Sequence, residues 1–245
     1  MQNRFLILLV FLFSIKSHSA EYSNNDSVWT WQKTALYGAM GLSLIPLYFR
    51  DSSVQNSIKD NRLLHKIDFV EHFGDYKYTP IFLLGYLGGL ALENQKLKES
   101  SLYTFQAILG GAVVAQSLKI ILGRARPGEG KGSQHYRPFS FKDNFWSLPS
   151  GHSTIAFSIA SSLSHYFDEQ SYLPYVLYPL ASIVALQRIA SGEHWPTDVL
   201  LGSIIGILSG HFVVRLQKKR SKSHRLSIYP FLSQEHKGLI LALDI

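Results

Sequence analysis

The chain has 245 residues, 46% of them hydrophobic and 17% charged, with 24 Lys and Arg against 17 Asp and Glu for a formal net charge of +7. That length suits one domain of ordinary size with a sizeable core, more apolar than most soluble domains and buried in protein or partly in lipid. The lack of cysteine excludes disulfides and thiolate metal sites, while the basic balance leaves nucleic acid, a membrane surface or an anionic substrate to be separated by where the charges fall.

The chain opens with MQNRFLILLVFLFSIKSHSA, in which one arginine precedes an apolar core over 5–15 and small polar residues end at Ala20. This is the layout of a secretory signal over 1–20, with a core too short for a comfortable membrane span. An uncleaved anchor is the alternative, because His18 is a poor residue three back from a cut after Ala20. Both send the chain to a membrane or beyond it.

Six apolar stretches follow, at 34–49, 78–92, 102–122, 155–167, 173–189 and 199–214. Only 102–122 reaches the ~20 residues that cross a bilayer without strain. The short β-branched runs expected of an α/β enzyme are missing from 30–215. The expectation is an all-α, six-helix bundle, membrane-associated, with long loops at 50–76 and 123–150. The second loop is rich in Gly, Pro and basic residues, and its Tyr136, Phe139, Phe141, Phe145 and Trp146 argue against disorder. Six basic residues of RLQKKRSKSHR (215–225) directly follow an apolar stretch, as in a cytoplasmic flank held by anionic lipids, and this placement disfavours nucleic acid as the partner. The basic flank and the tail occupy 216–245, and the alternation on either side of SQEHKG predicts a short C-terminal β-hairpin.

Three clusters carry the chemistry. In KIILGRARP, Lys119 and Arg126 lie seven residues apart and share a helix face if the helix reaches Pro127. In PSGH, a turn into a helix over Pro149–Ser150–Gly151–His152 exposes amides suited to phosphate oxygens. In QRIASGEHWPTDV, Pro196 suits a first helical turn, which puts His194 and Asp198 about one turn apart, near enough for a carboxylate to fix the imidazole tautomer. Each cluster alone fits ordinary structure: a basic helix end, a capped turn, a His–Asp hydrogen bond. Together they supply three cations, backbone donors, a nucleophile with its orienting group and a second titratable ring, an inventory for phosphoryl transfer without a metal.

Read together, the clusters resemble the signature of the type-two phosphatidic-acid phosphatase superfamily, which also includes bacterial acid phosphatases and vanadium haloperoxidases. Ten identities match in order and spacing, and Gln187 stands where the family has serine before the arginine. The match covers about 100–215 within a domain of 21–215. The resemblance implies His194 as the nucleophile forming a phosphohistidine, Asp198 as its orienting group, and His152 as acid for the leaving oxygen and then base for water. It implies Lys119, Arg126 and Arg188 as a phosphate clamp, with Ser150 and the Gly151 amide completing the cradle and no cofactor or metal.

The implied activity is hydrolysis of a phosphomonoester or diphosphate, most simply of a lipid, and candidates are phosphatidate, phosphatidylglycerol phosphate, polyprenyl diphosphate and lipid A phosphate. If the last apolar helix joins the third cluster to the basic flank, the positive-inside rule puts the site in the periplasm of a bacterial-type envelope. A soluble periplasmic acid phosphatase would share all three clusters and would extract without detergent. A vanadate-dependent haloperoxidase would halogenate only with added vanadate. A non-catalytic membrane scaffold would keep its activity after His194→Ala.

Overall fold

The computed structural model describes residues 31–59, 61–167, 172–222, 226–232 and 237–243. The expected signal at 1–20 lies outside them. Each of the six apolar stretches falls in a helix: α1 (Trp31–Tyr48), α4 (Pro80–Ala91), α5 (Gln95–Leu122), α6 (Gly151–Tyr166), α7 (Leu173–Ala190) and α8 (Pro196–Lys222). The count of six is not kept. Two short helices, α2 (Asp51–Ile58) and α3 (Arg62–Lys66), and a 3₁₀ segment over Asp68–Gly74 fold inside the connection expected as a loop. Asn61 starts α3 by accepting from the Leu63 and Leu64 amides at 3.0 and 3.3 Å, a side-chain cap that composition alone did not reveal.

The helices form an up-and-down body around α6, which packs on α5, α7 and α8. Its pairing with α8 is parallel and close, because Gly202, Gly206 and Gly210 recur every four residues and face α6 backbone. A Cβ on Gly202 would lie 2.5 Å from the Ser150 carbonyl oxygen, so a larger residue there would push α8 off the start of α6. Phe157, Ala160, Val184, Ile189 and Val199 lie in the main apolar cluster, below the end where α6 and α8 begin and α5 and α7 finish. Two helix N-termini and two C-termini therefore meet at one end of the body.

At the other end Tyr166 donates to Glu99 at 3.1 Å, Gln217 donates to Gln106 at 2.8 Å, and the Lys218 ammonium donates to the His165 carbonyl at 2.9 Å. Three helices, Gln95–Leu122, Leu173–Ala190 and Pro196–Lys219, are long and apolar enough to cross a membrane. Their apolar windows are at most half buried within the protein, and Val113, Val176 and Phe212 are exposed on their flanks. The protein is membrane-associated. Beyond α8, β1 (Leu226–Leu232) pairs antiparallel with β2 (Lys237–Leu243), Leu226 opposite Leu243.

Candidate active site

The first cluster is split by a glycine. Helix α5 ends at Leu122, where Gly123 takes φ 61° and caps it with an amide-to-Lys119 carbonyl hydrogen bond of 2.9 Å. The helix does not reach Pro127, so Lys119 and Arg126 do not share the face that their spacing would give on one helix; the left-handed turn leaves Arg126 extended in the loop, its amide bonded to the Asn144 carbonyl at 3.1 Å. Lys119 still reaches the start of α6. Its ammonium donates to the Trp146 carbonyl at 2.7 Å, and a Cβ on Gly151 would lie 4.0 Å from its Cε.

The second cluster enters α6 through a cis Leu148–Pro149 bond and a capping serine. Ser150 differs from expectation. Its hydroxyl oxygen accepts from the Ser153 amide at 3.4 Å and hydroxyl at 3.2 Å, and its own amide donates to the Asp198 carbonyl at 2.9 Å. It is fully buried and its amide serves the joint between α6 and α8; Gly151 and His152, the first two residues of α6, have amides with no partner inside the helix.

The third cluster turns at Gly192 (φ 72°) between α7 and α8. His194 is buried there, its amide 3.3 Å from the Arg188 carbonyl. The expected His194–Asp198 hydrogen bond is not the one made. Nδ1 of His194 lies 2.8 Å from the Ser147 carbonyl oxygen and 3.8 Å from Asp198 Oδ2, too far for a hydrogen bond. A carbonyl can only accept, so Nδ1 carries the proton and Nε2 keeps a free lone pair. Asp198 acts one step back: its Oδ2 accepts from the Ser147 hydroxyl at 2.5 Å and the Trp195 amide at 2.9 Å.

Cations surround these rings. Burial, then the charges of Arg188, Lys119 and Arg126, hold His152 down to about 4 against an opposing pull from Asp75. Burial foremost, with Lys119 and Arg126, holds His194 down to about 3, against the raising effect of Asp198. Both rings are therefore held neutral at pH 7. Arg126 and Arg188 are joined by one carboxylate, that of Glu193, which bonds the Arg126 guanidinium and lies 3.6 Å from Nη2 of Arg188. Arg126 also reaches Asp143 at 3.1 Å.

Behind Asp198 lies a network that the sequence did not disclose. Arg124, fully buried, donates from Nε and Nη2 to the Ser133 carbonyl at 2.8 and 2.6 Å. Its Nη2 also donates to Asp51 Oδ2 at 2.5 Å, and its Nη1 to Thr197 Oγ1 at 2.7 Å and Asp198 Oδ1 at 2.6 Å. Asp51, from α2, takes the Thr197 amide at 2.9 Å and hydroxyl at 2.5 Å. The sequence signal for Arg124 was its place inside KIILGRARP, but Asp51 is separated from the clusters by more than sixty residues and had none.

Much of the chain that builds this end is similar to known proteins. The family model described as the PAP2 superfamily matches residues 101–222. Lipid A 1-phosphatase of Rhizobium johnstonii is 26% identical over 191 residues, 72% of this chain and 76% of that protein. Bacitracin transport permease protein BcrC of Bacillus licheniformis is 34% identical over 135 residues, 50% of this chain and 63% of that protein. Among solved structures, LpxE of Aquifex aeolicus aligns with a TM-score of 0.52 at 25% identity, covering 67% of this chain and 94% of that one.

Proposed function

This chain belongs to the PAP2 superfamily and is a phosphatase of that family, and from that premise we propose that it hydrolyses a lipid phosphate through a phosphohistidine on His194. The observation that carries the proposal is the carboxylate of Glu193 held between Arg126 and Arg188 next to His194: an anion already fits where a phosphoryl group would sit. Lys119, Arg126, Arg188 and the first amides of α6 hold the three equatorial oxygens. Nε2 of His194 attacks phosphorus in line as the bond to the lipid oxygen breaks, and His152 gives that oxygen its proton. The neutral His152 then takes a proton from water, whose oxygen attacks the phosphohistidine and frees phosphate and His194. The incoming phosphate supplies the negative charge that lets His152 hold a proton among three cations.

Lipid A phosphate is the substrate we place first, from the name of the relative that aligns over most of its length. The site faces the periplasm in this proposal. Helix α8 runs from His194 and Asp198 to the basic residues at 215–222, and Lys96 and Lys98 open α5 at that same far end, the end the positive-inside rule assigns to the cytoplasm. The deciding experiment is phosphate release in detergent from lipid A, phosphatidate, phosphatidylglycerol phosphate and polyprenyl diphosphate, by wild type and His194→Ala, with and without EDTA. Release from lipid A that His194→Ala abolishes and EDTA spares is the expected result. Release that survives His194→Ala rejects the phosphohistidine, and sensitivity to EDTA rejects a mechanism made only of these side chains.

A further inference from the structure

We propose that Asp51 and Arg124 form a positioning unit for the nucleophile, acting on His194 through Asp198 and Ser147; this rests on the reading of His194 as the attacking group. A guanidinium has five N–H donors in a rigid plane. In Arg124 all five are engaged, by the Ser133 carbonyl, Asp51, Thr197 and Asp198, with no exposed surface left. Rings of Tyr48, Tyr136 and Trp195 lie 5.3, 5.7 and 5.7 Å from its central carbon and close off water. Burial and a hydrogen bond donated to Tyr48 push the Tyr136 hydroxyl well above its ordinary range, so that wall stays neutral.

Such a fork can hold only one arrangement of its acceptors. It fixes Oδ1 of Asp198 and so leaves Oδ2 to take the Ser147 hydroxyl and the Trp195 amide. Ser147 in turn presents its carbonyl to Nδ1 of His194. Asp51 has two duties. It balances the charge of Arg124, so that Asp198 keeps its negative field toward the ring, and it holds the Thr197 amide at the start of α8, the helix that carries Asp198. The charged groups around His194 itself are Asp198, Lys119 and Arg126, with Arg188 and Glu193 bonded across the same turn. Lys119 bonds the Trp146 carbonyl and Arg126 bonds Glu193 and Asp143, whereas Arg124 bonds Ser133, Asp51, Thr197 and Asp198, so phosphate holding and nucleophile aiming draw on different partners.

The test uses that separation in the full-length protein in detergent. Asp51→Asn, Arg124→Lys and the double variant Asp51→Asn/Arg124→Gln are compared with wild type for kcat and KM on para-nitrophenyl phosphate and phosphatidate. Inhibition constants are measured for inorganic phosphate, which needs only the clamp, and for orthovanadate, whose five-coordinate geometry also needs an aimed His194. The expected result is a kcat lower by about 10–100-fold, by analogy with the range for outer partners that orient a metal-bound histidine. The vanadate constant should rise by a similar factor, with KM and the phosphate constant nearly unchanged. Three results overturn the proposal: wild-type kcat and vanadate affinity in Asp51→Asn or Arg124→Lys, wild-type kcat in the double variant, or vanadate and phosphate affinities falling together. The double variant carries no buried charge at these two positions, so it keeps the test open where a single change unfolds the protein. Full activity in His194→Ala would instead reject the phosphohistidine reading, whatever these variants do.

Discussion

Two helices begin at the same end of this protein, and their N-termini are treated in opposite ways. At the start of α8 the protein supplies its own anions: Asp51 takes the Thr197 amide, Asp198 takes the Trp195 amide, and Arg124 ties the two carboxylates together, all three side chains without exposure. At the start of α6 Gly151 lies beside Lys119 and the His152 ring feels the charges of Arg188, Lys119 and Arg126, while the carboxylate between the two arginines, Glu193, is 42% exposed. The same attraction between a helix N-terminus and negative charge serves both. Dehydration separates them. A buried ion pair that loses one partner strands a charge in low dielectric, whereas a half-exposed pair exchanges its anion for another at little cost. The first is suited to holding a geometry and the second to taking up and releasing phosphate.

His194 belongs to both regions, so its removal should have the largest effect. His194→Ala is expected to lower phosphate release by at least ~10³-fold, as loss of a nucleophile does, measured as kcat/KM on a lipid phosphate. Next, the closed mouth should answer in stability. Asp51→Ala leaves Arg124 buried against too few acceptors and is expected to lower unfolding free energy by roughly 3–5 kcal/mol in detergent denaturation. A melting curve unchanged from wild type would break the contrast drawn here.

The open mouth should answer in catalysis. Arg188→Ala is expected to cost about 10²-fold in kcat/KM, the range for losing one donor to a transition-state oxygen. Its thermal midpoint should stay nearer to wild type than that of Asp51→Ala. A pH series sharpens the same point. Burial and then Arg188, with Lys119 and Arg126, hold His152 down to about 4 in the ligand-free protein. A bound dianion offsets those cations and raises the ring, so binding takes up a proton. Affinity for sulfate, whose charge is constant in this range, should therefore increase as pH falls from 8 toward about 4 and level off below it. His152→Gln should flatten the dependence in titration calorimetry. The smallest effect is expected from Glu193→Gln. It removes an anion that competes for Arg126 and Arg188, and because that carboxylate is the solvent-facing partner, inorganic phosphate should then inhibit a few-fold more tightly, in keeping with about 1 kcal/mol or less.

What the sequence determined on its own was the family and the helical architecture. Periodicity and the missing strand signals placed six apolar helices, and the order and spacing of Lys119, Arg126, Pro149 to His152, Arg188, His194 and Asp198 matched the signature of the family. Local rules also held where they were purely local, as at Pro196 opening α8.

The tertiary structure alone decided how the residues are held. The left-handed Gly123 ends α5 before Arg126, and the sharp return of the loop that follows depends on contacts with Arg137 that no helical spacing contains. The acceptor for His194 is a main-chain carbonyl, Ser147, and every residue has one, so no side-chain pattern could single it out. Asp51 lies in a short helix that composition read as loop, and its value comes only from meeting Arg124 and Thr197 across the fold. Side-chain type fixes which reactions are available. Which carboxylate is locked away and which is left for exchange depends on burial, and burial is a property of the packed chain.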